Sequence, residues 1–138
     1  MGVAIHVLRL SPGDDLRASL AAAFRELSGA QGVTAACVVS SVGSLSRAVL
    51  RYAAEDEGTL TVAPLELITL SGTLSPDGVH LHASVSDAQG RVTGGHLMPG
   101  CIVRTTAEVV LALLPGWDFR REVDAGTGYR ELVARKLP

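Results

Sequence analysis

Residues 79–97 read VHLHASVSDAQGRVTGGHL, two alternating segments on either side of the polar tetrad Asp87-Ala88-Gln89-Gly90. Alternation of apolar and polar residues marks half-buried strands, and a short Gly-containing break between two such runs marks a hairpin. Val79–Val85 and Arg91–Leu97 are therefore predicted to pair. Strand side chains alternate faces, so His80, His82 and Ser84 share one face while Val79, Leu81, Ala83 and Val85 share the other. The turn decides where His96 points. A two-residue loop would set His96 opposite Leu81, on the wrong face. A three-residue loop pairs Asp87 with Arg91 and sets His82 opposite His96 and Ser84 opposite Gly94. Three-residue hairpin loops favour Gly at the left-handed position that closes them, and Gly90 stands there. This register gathers three of the four histidines on one face.

Outward from the hairpin, Leu65–Leu74 (LELITLSGTL) reads as a strand ended by the turn Ser75-Pro76-Asp77-Gly78. Cys101–Leu114 is apolar and β-branched, a further strand, and Phe119–Val123 reads as the last one. Upstream, Val3–Leu8 alternates as a strand. Ser11-Pro12-Gly13-Asp14-Asp15 supplies breakers and a helix N-cap, and Leu16, Leu20, Ala23, Phe24 and Leu27 follow at helical spacing until Gly29 or Gly32. Val33–Val42 is a continuous run of small apolar residues, read as a strand buried on both faces. Gly43-Ser44 reads as a turn, Leu45–Ala54 as the next strand, and Glu55-Asp56-Glu57-Gly58 as a polar loop. One helix, at about residues 14–29, among many strands argues an α+β fold with a largely antiparallel sheet. The chain reads as a single domain, residues 1–138.

Composition bounds the function. With 138 residues, 47% hydrophobic and 19% charged, the chain buries a real core and is too apolar for disorder. Arg104 and Glu108 interrupt the best apolar run, which excludes a membrane-spanning segment there. His6 and Arg9 break any apolar stretch after Met1, so no signal peptide is expected and the cytoplasm is the default compartment. Cys37 and Cys101 form no CxxC pattern and read as reduced apolar fillers. Twelve basic residues against fourteen acidic ones, scattered without a stripe, argue against direct DNA binding. The apolar excess, with so little charge to cover it, points to a homo-oligomer.

His80, His82 and His96 are the candidate metal ligands. Three neutral imidazoles on a rigid sheet leave coordination positions open, and zinc suits that set best, although iron, nickel, cobalt or copper also accept nitrogen ligands. The competing reading is two hydrogen-bonded histidines on a wet strand face. Glu108 (in TTAEVVLAL) and Glu66 (in LELITL) are the candidate catalytic carboxylates; an ion pair with an arginine is the structural alternative for each. Ser84 and Cys101 lack an activating partner, and His6 reads as an ordinary strand histidine.

The run from Leu65 to Leu111, together with RLSPGDDL (9–16), GSLSRAVLRY (43–52) and TGYREL (127–132), resembles the PPC domain, the plants-and-prokaryotes conserved domain. The joint pattern LSG…DGxHLHxxVSD…GxVxGGHL…TTAE carries the likeness along nearly the whole chain. The resemblance implies a strongly bent mixed sheet, assembly as a homotrimer, and metal binding in some prokaryotic members through histidines matching His80, His82 and His96. In plants the domain follows AT-hooks and mediates self-association and contacts with transcription factors. Here there is no Arg-Gly-Arg-Pro core, and the segment matching the plant partner contact reads Ala63-Pro64-Leu65-Glu66-Leu67-Ile68, without its Gly and Arg. Two functions therefore follow. One is a trimeric metal protein, a zinc-dependent hydrolase or lyase acting on a small carbonyl compound. The other is a non-enzymatic trimerising regulator that binds a partner protein or DNA.

Overall fold

The computed structural model describes residues 2–138. Its strands run β1 (Ala4–Leu10), β2 (Ala36–Arg51), β3 (Thr59–Ser75), β4 (Gly78–Ser86), β5 (Val92–Leu97), β6 (Ile102–Leu113), β7 (Trp117–Val123) and β8 (Arg130–Lys136), with one helix, α1 (Leu16–Gln31). Six strands form one sheet in the order β1-β6-β2-β3-β4-β5, and β7 and β8 form a separate hairpin. Every strand pairing is antiparallel. The one parallel contact is an isolated bridge between Thr34 and Asp118. The expected α+β, largely antiparallel architecture is therefore what the chain adopts.

The sheet bends hard because β2 is long enough to serve two neighbours on one edge. Along most of its length β2 lies between β3 and β6, but its last residues, Leu50 and Arg51, pair with Leu97 and His96 of β5. This pairing curls β2-β3-β4-β5 back on itself. The core fills the concave side with Leu45, Leu65, Leu67, Leu81, Val85, Val103, Val109 and Leu111. Helix α1 covers it with Leu16, Leu20 and Phe24, spaced one turn apart. Asp15 starts the helix: its Oδ1 accepts from the Ala18 amide (2.9 Å), while its Oδ2 accepts from the Gly100 amide (2.7 Å) and ties the cap to the β5–β6 loop. Gly32, at φ 67°, closes it with its N–H on the Ser28 carbonyl, so of the two expected stops, Gly29 and Gly32, the second is used.

Three expectations change. Gly43-Ser44 is no turn, because β2 continues through it, with only a shift in its register against β6 between Gly43 and Leu45. A Cβ on Gly43 would stand 2.6 Å from the Thr106 carbonyl oxygen and 2.7 Å from Ala107 Cα. The glycine is there so that β6 can press against β2, a use that looks like punctuation when only the sequence is seen. Residues 33–42 are not buried on both faces either, since Val39 and Val42 are 58% and 57% exposed in the single chain. Finally, Phe119–Val123 is not the last strand: β8 follows and pairs with β7 along its whole length.

The reading of Gly43 is testable. Gly43→Ala should cost about 1–3 kcal/mol, as forced overpacking does, read as a lowered urea midpoint with an unchanged slope. A turn glycine at ordinary φ would tolerate the methyl group, so an unshifted midpoint would refute close strand approach.

Candidate metal centre

The centre is built by the β4–β5 register. Asp87 Oδ1 accepts from the amides of Gln89 and Arg91 (both 2.9 Å), and its Oδ2 takes Arg91 Nε at 2.9 Å. The Asp87 amide donates to the Arg91 carbonyl, and the Gly90 amide, at φ 76°, donates back to the Asp87 carbonyl. These bonds define a three-residue loop. The strands then pair His82 with His96 and Ser84 with Gly94, the register read from Gly90. β5 can also reach β2 because residue 95 is glycine. A Cβ there would lie 2.6 Å from the Arg51 carbonyl oxygen.

Each of the three histidines offers one nitrogen within 4.8 Å of the others. Ring centroids stand 4.5 Å apart for His82 and His96, 5.1 Å for His80 and His82, and 5.2 Å for His80 and His96. Tetrahedral zinc with bonds of about 2.0–2.1 Å wants its nitrogens roughly 3.3 Å apart. The three side chains already share one sheet face. The donor set is all neutral nitrogen, which fits a transition metal rather than calcium or magnesium.

The surroundings disfavour the charged form of two of these rings. Burial, then the nearby Arg121 guanidinium, then the other two imidazoles push His80 below the ordinary histidine value of 6.5, with Glu131 pulling weakly the other way. Burial, then Arg51, then His82 and Arg121 lower His96 in the same way. A neutral imidazole is the form that ligates a metal.

The C-terminal hairpin docks over this face. The Arg121 amide donates to Asp77 Oδ2 in the β3–β4 turn (2.8 Å), and Thr34 Oγ1 donates to Asp118 Oδ1 (2.6 Å). Arg121 Nη2 then donates to the Arg130 carbonyl (2.6 Å), which leaves Nη1 against His80 Nδ1 at 3.3 Å. A cleft of about 400 Å³ opens beside His80 and His96, walled by Arg51, Arg121, Arg130 and Glu131. A second cleft, of about 250 Å³, lies on the other side, where Glu131 and Arg121 face His80 and His82.

Glu66 and Glu108 are brought together, but elsewhere. They line a separate cleft with Val42, Ser44, Arg104 and Thr105, which contains no histidine. Neither forms an ion pair among the described residues, so the arginine partnership expected for them is not made. Both are exposed, which removes the reason to expect one: a charge facing water needs no partner. The carboxylate that does reach the histidines is Glu131. Sequence reading missed it, along with Arg121 and Arg51, because no local pattern says that β7 and β8 fold over β4.

Residues 2–115 match the Plants and Prokaryotes Conserved (PCC) domain. A Synechococcus sp. (strain JA-3-3Ab) protein named Bifunctional protein GlmU is 50% identical over 133 residues, 96% of this chain but 21% of that protein. The chain thus spans about a fifth of that relative's length. A hypothetical protein from Salmonella cholerae-suis (Salmonella enterica) has a solved structure that superposes with a TM-score of 0.92 at 39% identity, covering 98% of this chain and 95% of that one. The structure of a metal-containing protein from Archaeoglobus fulgidus superposes with a TM-score of 0.75 at 29% identity, covering 94% and 93%.

The histidine environment sets a pH dependence for the metal-free protein. Both rings titrate lower when folded than when unfolded, so the unfolded chain takes up protons first as pH falls below about 6.5. Stability is fully present above that value and declines as pH drops toward the folded values. The urea midpoint should therefore fall between pH 7 and pH 5, and the double variant His80→Gln/His96→Gln should flatten the decline. Equal slopes in the two proteins would refute the assignment.

Proposed function

The chain belongs to the Plants and Prokaryotes Conserved domain family, and we propose that it is a zinc protein whose metal sits on His80, His82 and His96. The observation that carries this reading is the convergence of three imidazole nitrogens within 4.8 Å on one sheet face. The Archaeoglobus fulgidus relative, described as metal-containing, supports it. With three protein ligands, zinc supplies a Lewis acid and lowers the pKa of a bound water toward about 7. Glu131 takes the proton-handling role first sought in Glu66 and Glu108, because it alone of the three borders both clefts beside His80. The reaction class this arrangement suits is hydrolysis or lyase chemistry on a small carbonyl compound.

The protein assembles as a homotrimer in this proposal, in the cytoplasm, where the free thiols of Cys37 and Cys101 stay reduced. β1 is a sheet edge whose outer residues Ile5 and Val7 are 59% and 65% exposed. An open, apolar edge strand of this kind is one that native proteins cover. A second copy of the chain supplies that cover in this proposal.

A second reading, a non-enzymatic module that binds a partner protein or DNA, is favoured by one observation. Nearly all of this chain aligns to only a fifth of the Synechococcus protein, so the same unit also occurs within a longer chain. DNA binding of this kind would show a steep fall in affinity with salt.

Protein purified without a nickel column should carry one zinc per chain by elemental analysis, and His82→Ala should lose it while keeping the native circular dichroism spectrum. Metal-free native protein that also refuses added zinc would refute the centre. Light scattering should return three times the 14.3 kDa chain mass, and Val7→Glu should shift it toward the monomer. A wild-type monomer at micromolar concentration would end the trimer reading.

A further inference from the structure

The basic residues around the histidines are placed differently from those elsewhere on the chain. Among the described residues the ion pairs are Arg91 with Asp87, Arg120 with Asp118 and Arg135 with Glu122. Arg51, Arg121 and Arg130, which wall the larger cleft, pair with no carboxylate. Their side chains are steered by backbone carbonyls instead: Arg51 Nη1 donates to Glu55 (3.1 Å), Arg121 Nη2 to Arg130 (2.6 Å), and Arg130 Nη2 to Arg121 (2.7 Å). A guanidinium carries five donors, so each keeps donors to spare for a ligand.

Charge adds a condition. The cleft's three arginines face Glu55, Asp56 and Glu131, so its fixed charges cancel. A divalent ion on three neutral imidazoles adds two positive charges to that balance. The contact between Arg121 and His80 changes at the same moment. A guanidinium only donates, so Arg121 Nη1 at 3.3 Å requires His80 Nδ1 to accept and its Nε2 to hold the proton. If His80 ligates through Nδ1, the metal displaces Arg121. If it ligates through Nε2, the proton moves to Nδ1 and the two donors repel. Either way Arg121 is released from the ring with a donor freed toward the cleft.

We infer that the cleft between His80, His96 and the C-terminal hairpin binds a small organic carboxylate, held by Arg51 and Arg121 and reached only once the metal is in place. The inference rests on the metal reading above. A planar carboxylate suits the planar guanidinium fork, one oxygen or both. Glu55, Asp56 and Glu131 leave the metal-free cleft without net positive charge, so an anion is attracted only once the metal adds its own. Arg121 and Arg130 lie beyond residue 115, where the family match ends.

The probe is glycolate, a singly charged carboxylate, compared with its neutral amide and with inorganic phosphate. Cobalt replaces zinc so that binding is read in the visible spectrum and by equilibrium titration. Cobalt-loaded protein should bind glycolate at least about tenfold tighter than glycolamide, and metal-free protein should bind neither. With each protein saturated with cobalt, Arg51→Gln and Arg121→Gln should each weaken glycolate about tenfold. Because the two arginines stand on different strands, misfolding of one variant leaves the other to decide. Equal affinity for acid and amide, tighter binding of phosphate, or arginine variants that bind like the wild type would each overturn the inference while leaving the metal centre standing. A protein that takes up no cobalt would overturn the centre, and this inference with it.

Discussion

The register of the β4–β5 hairpin is the constraint on which the site depends. Asp87 holds it by clamping the amides of Gln89 and Arg91 with one carboxylate oxygen and the Arg91 side chain with the other. A slip of one residue turns every side chain to the opposite face. His96 would then enter the core beside Leu97's present position, and Leu97, now 2% exposed, would enter solvent. The hydrophobic cost of that exchange and the cost of burying an unpaired imidazole act in the same direction. The turn and the core therefore agree on one register, and the histidine cluster follows from their agreement.

A second consequence of the same hairpin is the closure of the sheet. β5 reaches the end of β2 where Gly95 admits the Arg51 carbonyl, and this sets Arg51 beside His96. On the other flank, the Asp77 carboxylate holds the Arg121 amide and seats the C-terminal hairpin over His80. Burial and then positive charge from two directions disfavour the protonated forms of His80 and His96.

Much of this was legible locally. The helix was legible from its capping segment and apolar spacing, with Gly29 and Gly32 both open as its end, and the hairpin register followed from Gly90, because caps and tight turns are decided by residues a few positions apart. Three features were not legible, for one shared reason. Gly43 resembles a turn residue until Ala107 is seen pressing on it, Glu66 and Glu108 resemble buried charges until β3 and β6 are seen to present them to water, and Glu131 carries no signal at all. Each depends on a partner far along the chain, and the sequence pattern around each is compatible with either outcome.

The amino-acid sequence by itself determined the alternation of strands, the single capped helix, and the sharing of one sheet face by His80, His82 and His96. Those follow from side-chain periodicity and turn stereochemistry, which act over a few bonds. Only the tertiary structure decided that the sheet closes through β2 and β5, that the β7–β8 hairpin folds back over the histidines, and that Arg51, Arg121 and Glu131 are their neighbours while Glu66 and Glu108 are not. Those outcomes are set by burial and by hydrogen bonds between distant backbone segments, energies that no short window of residues contains.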